Sequence, residues 1–218
     1  MLFQDFIKYI PKIEKEKLLA EDAHAKMAPL ERISFLKEEN YLDKNPRLAA
    51  VLMLFYPKFG ETHLALIVRN TYPGVHSSQI GFPGGKVEDI DKDLADTALR
   101  ETHEEVGVHP QKVEIIKPFS RIYIPPSNFL VSPYMGICHE EVSFIPDMDE
   151  VKRVLEFPLS LFLDEKSITK VKMTTSYAVD IEVPAFVVDK YIVWGATAMM
   201  MSELKETIKS VLNCEESF

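Results

Sequence analysis

The sequence is poor in cysteine and has no long hydrophobic run. Its 218 residues include two cysteines, Cys138 and Cys214, which are too few for a disulfide-stabilised scaffold and fit a reducing compartment. The longest apolar run, 48–56, is far too short to cross a bilayer. The N-terminus has no basic segment followed by an apolar stretch, so it does not resemble a signal peptide. We therefore predict a cytoplasmic protein that has no membrane partner.

The chain also lacks an excess of positive charge. It has 25 lysines and arginines against 34 aspartates and glutamates, which gives a formal net charge of −9. This balance argues against nucleic acid as a partner, because a nucleic-acid binder presents a basic surface. It does not exclude small anionic ligands, since a bound cation reverses the field near it. A hydrophobic content of 46% with 27% charged residues is typical of a globular protein.

Hydrophobic periodicity divides the chain into three parts. Residues 1–44 are predicted to form a helical extension, in which apolar residues recur at helical spacing from Leu2 to Ile10 and Pro29 begins a second helix. Residues 45–190 form the main domain, and 191–218 carry a C-terminal helix packed on it. For the extension, a packing role or a homodimer contact is favoured over a part in chemistry.

The main domain alternates short apolar runs with one strongly amphipathic segment. The pattern predicts strands at 48–56, 64–69, 113–118, 122–124, 131–138 and 181–188, and helices at 91–106 and 195–212. Asp91 or Asp93 can cap the first of these helices, and Gly107 stands where a glycine ends it. The fold class is α/β, with a mixed sheet covered by helices on both faces.

The helix at 91–106 carries three glutamates on one side. Glu101, Glu104 and Glu105 share an arc of about 100° on a helical projection. Like charges at this spacing, close to a helix C-terminus, destabilise a helix unless something positive offsets them. A hard cation such as Mg²⁺ or Mn²⁺, which prefers oxygen ligands, would do so. Taken alone, such a cluster is more often an exposed charged face.

A glycine-containing loop directly before this helix favours the cation site over an exposed charged face. Phe82, Pro83, Gly84 and Gly85 form a tight loop in which bare backbone can approach a phosphate. Gly85, then five residues, Asp91, then eight residues and the segment Arg100–Val108 resemble the box of the Nudix hydrolase family. The segment departs from that box in having aspartate at position 91, one extra residue before Arg100, and Thr102 where an aliphatic residue is usual.

The resemblance implies a Nudix-type mixed sheet and hydrolysis of a nucleoside diphosphate linked to another moiety. It implies that Glu101 and Glu105 bind Mg²⁺ or Mn²⁺ and that Glu104 is a further ligand or the base. Arg100 would orient a glutamate, and the Gly85 carbonyl would complete the coordination. A base from outside the box is also common in the family. Glu140 and Glu141 are candidates for it, although an exposed strand end is the simpler interpretation.

A narrower resemblance concerns the segments around the box. The stretches 66–69 and 76–85, together with 124–128, 131–133 and 194–198, are similar to the coenzyme A diphosphatase branch of the family. Asn70, Gly74 and Ser78 depart from its pattern. The candidate substrate-binding residues are Arg69, Phe82, Pro83, Gly84, Arg121, Ser127 and Asn128.

The expected reaction is cleavage of coenzyme A or an acyl derivative to (acyl-)4′-phosphopantetheine and adenosine 3′,5′-bisphosphate. Two alternatives stay open: a nucleotide sugar or a dinucleotide as substrate, and a Nudix-fold nucleotide-binding module that has lost turnover. His76, beside two serines, is interpreted as a loop hydrogen-bonder or a substrate contact rather than part of a nucleophilic site.

Overall fold

The computed structural model describes residues 1–70, 79–174 and 180–213, with only the backbone at positions 38 and 42. The α-helices are α1 (Phe3–Lys15), α2 (Glu21–Ala25), α3 (Leu94–Val106), α4 (Leu159–Leu163) and α5 (Gly195–Asn213). The strands are β1 (Arg47–Lys58), β2 (Glu61–Arg69), β3 (Ile80–Gly81), β4 (Gly84–Lys86), β5 (Val113–Pro118), β6 (Ile122–Ile124), β7 (Phe129–Cys138), β8 (Val151–Pro158), β9 (Ile168–Met173), β10 (Ile181–Val188) and β11 (Tyr191–Val193). Short 3₁₀ helices cover Leu30–Leu36, Glu38–Asn40, Leu42–Lys44, Pro110–Lys112, Pro125–Ser127 and Glu165–Ser167.

Strand β1 is the centre of a mixed sheet. It pairs in parallel with β7 and antiparallel with β2 and β4. The order β3-β2-β1-β7-β5 is extended by β6 on β7 and by β8 on β2, while β9, β10 and β11 form a separate three-stranded sheet. The predicted α/β class and mixed sheet are confirmed.

Helices cover the two faces of this sheet, as the alternation of β1 requires. Met53 and Phe55 point to the face that holds α1 and α5, whereas Leu52 and Leu54 point to the face that holds α3. All four side chains are fully buried. Helix α3 thereby packs against both β1 and β4.

The N-terminal extension packs mainly on α5, through α1 and α2. The buried Glu203 carboxylate of α5 accepts the Ala20 N–H at 2.7 Å and the Ser120 hydroxyl at 2.6 Å. Ser202 donates its hydroxyl to the Ala23 carbonyl. The extension is therefore tied to the domain by buried polar contacts as well as by apolar packing.

Two expectations about secondary structure need correction. The helix after Pro29 is a 3₁₀ helix, and it exposes Leu30 and Ile33 while burying Arg32. Strands β8 and β9 are absent from the prediction because exposed charged residues such as Lys152 and Arg153 interrupt their apolar pattern. Among the described helices, none is long and apolar enough to cross a membrane.

Candidate active site

Two glycines of β4 lie directly against the glutamates of α3. Gly84 has φ +148°, and a Cβ there would fall 2.3 Å from the Ala50 carbonyl oxygen, so only glycine fits. A Cβ on Gly85 would fall 2.4 Å from the Glu101 carboxylate. The missing side chains thus allow β4 to pair with β1 on one side and to contact the Glu101 carboxylate on the other.

Helix α3 is fixed at both ends by its own sequence. Asp93 caps the start by accepting the Asp96 N–H at 2.8 Å, which settles the choice between Asp91 and Asp93. Gly107 ends the helix in the left-handed conformation at φ +75°. These two caps set the register that directs the glutamates toward β4.

Arg100 connects three carboxylates. Its Nε and Nη2 donate to the two oxygens of Asp91 at 2.7 and 3.0 Å, a fork that holds the pKa of Asp91 well below its usual range. Its Nη1 lies 3.1 Å from Glu101 Oε1 and 2.9 Å from Glu104 Oε2. Arg100 therefore contacts both Glu101 and Glu104, while Asp91 anchors the guanidinium.

Glu105 has a different partner. Its side chain is 1% exposed, and Oε2 accepts the Gly84 N–H at 2.8 Å while Oε1 lies 3.3 Å from Arg69 Nη2. Burial raises the pKa of Glu105 from 4.5 to about 7, although Arg69 and the Gly84 N–H act in the opposite direction. Arg69 Nη2 also donates to the Gly84 carbonyl, which locks the loop to the glutamate.

The glutamates fit a hard divalent cation by their chemistry. Glu105 Oε1 is buried and accepts no hydrogen bond among the described residues, because its 3.3 Å contact with Arg69 is an ion pair without hydrogen-bond geometry, so a lone pair stays available to a cation. Burial also raises the pKa of Glu101, although Arg100 acts in the opposite direction. A bound cation would favour the ionised form of both carboxylates. Within the described part of the chain, no three acidic, histidine or cysteine side chains already stand at metal-binding distance, and Arg100 and Arg69 hold the glutamates instead.

A fourth glutamate faces this cluster from outside the helix. Glu150, just before β8, raises the pKa of both Glu101 and Glu105 by its negative charge. Its carbonyl accepts the Asn70 N–H at 2.7 Å, which holds it beside the end of β2. The sequence contains no spacing signal for it, since β8 itself is missed. The two candidates for an outside base lie elsewhere: Glu140 pairs with Lys112, and Glu141 accepts the Phe59 N–H.

A cavity of about 470 Å³ adjoins the glutamates. Arg69, Gly84, Gly85 and Lys86 line it on the side of the glutamates, and its far end, across β1, is formed by Arg32 and by residues of β6 and β7. The start of α5 contributes to the wall beside β3, where Thr197 donates to the Ile80 carbonyl. The remaining wall residues are Ala49, Val51, Gln79, Ile80, Gly81, Phe82, Ile124, Pro126, Phe129, Val131, Thr174, Trp194, Gly195, Ala196, Thr197 and Met200. A mostly apolar pocket with a few charged groups is typical of a small-molecule site.

The structure places some of the predicted substrate-binding residues on this cavity and others away from it. Arg69, Phe82 and Gly84 are on its wall. Among the described residues, the other four are not: Pro83 is buried with its carbonyl bonded to the Leu52 N–H, Arg121 is exposed, the Ser127 carbonyl accepts from Arg47, and Asn128 bonds to Tyr123 and Lys44. Their contact with substrate stays a prediction. His76, Gly74 and Ser78 lie outside the described residues.

The sequence matches a known protein family. The profile of the NUDIX domain matches residues 46–173, which is more than half of the chain. The chain belongs to the Nudix family. Its relatives include the mouse peroxisomal coenzyme A diphosphatase NUDT7, 34% identical over 58% of this chain and 53% of the mouse protein. They also include the uncharacterised Nudix hydrolase NudL of Enterobacter sp. (strain 638), 31% identical over 80% of this chain and 90% of that protein.

Solved structures agree on the Nudix fold. The Nudix hydrolase RenU of M. smegmatis aligns with 76% of this chain and 87% of its own length, at a TM-score of 0.53 and 14% identity. The chain spans about half the length of several curated Nudix relatives, the mouse enzyme among them.

The three departures from the usual Nudix box have local explanations. Asp91, with one extra residue before Arg100, still reaches the guanidinium with both oxygens. Thr102 is buried where an aliphatic side chain is usual, and it satisfies its hydroxyl by donating to the Ala98 carbonyl at 2.6 Å. The unusual residues therefore preserve the packing and orientation of the box.

Proposed function

We propose that this Nudix protein is a metal-dependent pyrophosphohydrolase that cleaves coenzyme A or acyl-coenzyme A. The observation that carries the proposal is the contiguous arrangement of Glu101, Glu105, Gly84 and Gly85 at one edge of a cavity large enough for part of a nucleotide. The similarity to a protein named as a coenzyme A diphosphatase supports the choice of substrate.

Glu101 and Glu105 would hold the cation, with Glu104 as a further ligand or as the base. When bound, Mg²⁺ or Mn²⁺ neutralises the diphosphate, polarises phosphorus and lowers the pKa of water. The metal is supplied with oxygen ligands only, which suits either ion. Arg100 keeps two of these carboxylates in place, so their orientation is set before substrate enters.

The loop residues would position the substrate. Gly84 and Gly85 present bare backbone to the diphosphate, while Arg69 and Lys86 provide positive charge on the same wall. Hydrolysis then adds water across one P–O bond of the P–O–P bridge: the water oxygen joins one phosphorus, the bridging oxygen leaves with the other phosphate, and a carboxylate takes the proton of the attacking water. Glu104 is the most exposed of the three glutamates, with its side chain 56% accessible, which favours it for that proton.

The test is a substrate panel with Mg²⁺ or Mn²⁺, followed by chromatography of the products. The panel holds coenzyme A, acetyl-coenzyme A, ADP-ribose, a dinucleoside polyphosphate and NADH. We expect metal-dependent release of adenosine 3′,5′-bisphosphate from coenzyme A. Cleavage of another member alone would keep the enzyme and overturn the substrate. No cleavage of any member with either metal would favour a non-catalytic nucleotide-binding module.

The departures at Asn70, Gly74 and Ser78 from the coenzyme A diphosphatase pattern are the reason to include a nucleotide sugar in an extended panel. A cytoplasmic location, inferred from the scarcity of cysteine, stays a prediction.

A further inference from the structure

The cavity wall carries positive charge only. Its ionisable side chains, among the described lining residues, are Arg32, Arg69 and Lys86, and no carboxylate is exposed on it. This differs from the chain as a whole, which has a net charge of −9. Arg69 and Lys86 lie beside the glutamates, where the diphosphate would bind. Arg32 does not, and the proposed reaction leaves its presence unexplained.

Arg32 is built into the wall by the N-terminal extension. It lies in the 3₁₀ helix Leu30–Leu36 and is 4% exposed. Its Nη2 donates to the Tyr123 carbonyl of β6, directly before the cavity residue Ile124. This bond fixes the guanidinium at the edge of the pocket, so a group that binds it meets a preorganised donor.

The sheet register gives the separation of the two charged ends. Lys86 of β4 is paired with Ala49 of β1, Ala49 with Val131 of β7, and Val131 with Ile122 of β6, the residue before Tyr123. Three strand spacings correspond to about 14 Å at the backbone. The Arg32 guanidinium, bonded to the Tyr123 carbonyl, therefore lies about the length of one nucleotide from the Lys86 backbone, which is more than a diphosphate alone spans.

We propose that Arg32 binds a phosphomonoester on the ribose of the substrate and makes the enzyme prefer a phosphorylated over an unphosphorylated ribose. The proposal rests on the proposed function and deepens it by naming a specificity residue. A guanidinium is suited to this task because its planar fork of N–H donors matches two phosphate oxygens at once. The apolar neighbours Ile124, Pro126 and Phe129 exclude water, which strengthens such a contact.

The test compares coenzyme A with 3′-dephospho-coenzyme A as substrates of the whole chain. In the unchanged protein, kcat/KM should be higher for coenzyme A by about tenfold to a hundredfold, the effect of a charged hydrogen-bonded pair. Arg32→Met should raise KM for coenzyme A by that factor, leave kcat near its original value, and change the values for dephospho-coenzyme A by less than about twofold. Arg32→Lys should keep part of the preference.

Arg47→Met is the matched control. Arg47 stacks on the Phe129 ring at 4.1 Å and donates to the Ser127 carbonyl, so it supports the same loop without lining the cavity. Arg47→Met should change kcat/KM for the two substrates slightly and by the same factor. If Arg32→Met impairs both substrates by the same factor, Arg32 is only structural and the proposal is overturned.

A binding measurement separates this proposal from the proposed function. Calorimetry with metal-free protein should show tighter binding of adenosine 3′,5′-bisphosphate than of AMP, and Arg32→Met should abolish the difference. If the unchanged protein cleaves neither coenzyme A nor dephospho-coenzyme A, the proposed function fails, and this difference still decides the role of Arg32. Equal binding of the two nucleotides by the unchanged protein would overturn it.

Discussion

The two ends of the cavity are built in different ways. The glutamate end comes from one nearly continuous stretch, 84–105, whose glycines, caps and carboxylates follow one another along the chain, with Arg69 added from β2. The far end is assembled from the N-terminal extension and from β6 and β7. The first end carries the proposed chemistry and the second the proposed specificity. The proposed reaction therefore depends on a local sequence motif, whereas the proposed specificity depends on segments that are distant in sequence and must pack correctly.

The largest expected effect is at the glutamate end, where the free energy of unfolding should depend on pH. Glu105 has a folded-state pKa of about 7 against an ordinary 4.5, so its stabilising contribution is complete below pH 4.5 and is lost as pH rises through 7. The loss amounts to roughly 3 kcal/mol. Denaturant unfolding in the presence of a chelator should show it between pH 5 and 8.5, and Glu105→Gln should remove it. Adding Mg²⁺ at pH 8.5 should restore stability to the unchanged protein but not to the variant. An equal pH slope in both proteins would contradict the account.

Much of the glutamate end could be predicted from the sequence because its determinants are local. The spacing of Glu101, Glu104 and Glu105 predicts that they share one side of a helix, and Gly107 predicts the end of that helix. Local patterns do not reveal which distant partner completes each group. Arg69 and Arg100 therefore divide the carboxylates in a way that the sequence did not indicate, and Glu150 was missed because it precedes an unrecognised strand.

The far end could not be predicted for the same reason. Arg32 lies in a segment that was assigned to packing, since a buried arginine has no periodic signature and its partner Tyr123 is 91 residues away. The sequence predicts substrate contacts at Ser127 and Asn128, but Pro126 of the same loop lines the cavity and they do not. The centre of the mixed sheet was predictable because β1, β2 and β7 are nearly continuous apolar runs, whereas the charged residues of β8 hide that strand.

The second effect concerns the close contact between β4 and α3. Gly85→Ala would put a Cβ 2.4 Å from the Glu101 carboxylate and displace it. Displacement by about 1 Å lowers the rate of a positioned reaction by about a hundredfold. Steady-state kinetics with coenzyme A measures the loss. Gly60→Ala is the control, because no atom lies within 4 Å of its Cβ and the position, in the β1–β2 turn, is remote from the cavity. Its φ of +77° should cost some stability, but kcat should not change. Similar kcat values for the two variants would show that the Gly85 contact is unimportant.

A smaller effect tests the docking of the extension that carries Arg32. Burial alone would raise the pKa of Glu203, but the nearby His24 ring at 3.5 Å and hydrogen bonds from Ser120 lower it, so the carboxylate is ionised and bonded. Glu203→Gln should reduce the free energy of unfolding by about 2 kcal/mol and raise KM for coenzyme A more than it lowers kcat. Glu206→Gln, on the same helix but in an exposed pair with Lys26, should cost less than about 1 kcal/mol. Equal losses in the two variants would mean that the buried network does not hold the extension.

The smallest effect is expected where predicted substrate contacts lie off the cavity. Ser127→Ala and Arg121→Met should each change kcat/KM for coenzyme A by less than about twofold, because the Ser127 contact to Arg47 uses the backbone carbonyl and Arg121 is exposed. A tenfold loss in either variant would place these residues against the substrate and extend the far end of the site.

The most direct test of the central claim is turnover of coenzyme A by Glu101→Gln at saturating Mg²⁺, beside the unchanged protein and with matched thermal unfolding curves. The account predicts that kcat falls by about a thousandfold or more, because one oxygen ligand of the cation becomes a neutral amide while the fold is kept. Unchanged turnover by Glu101→Gln would contradict it, since the carboxylates of α3 would then not form the catalytic centre.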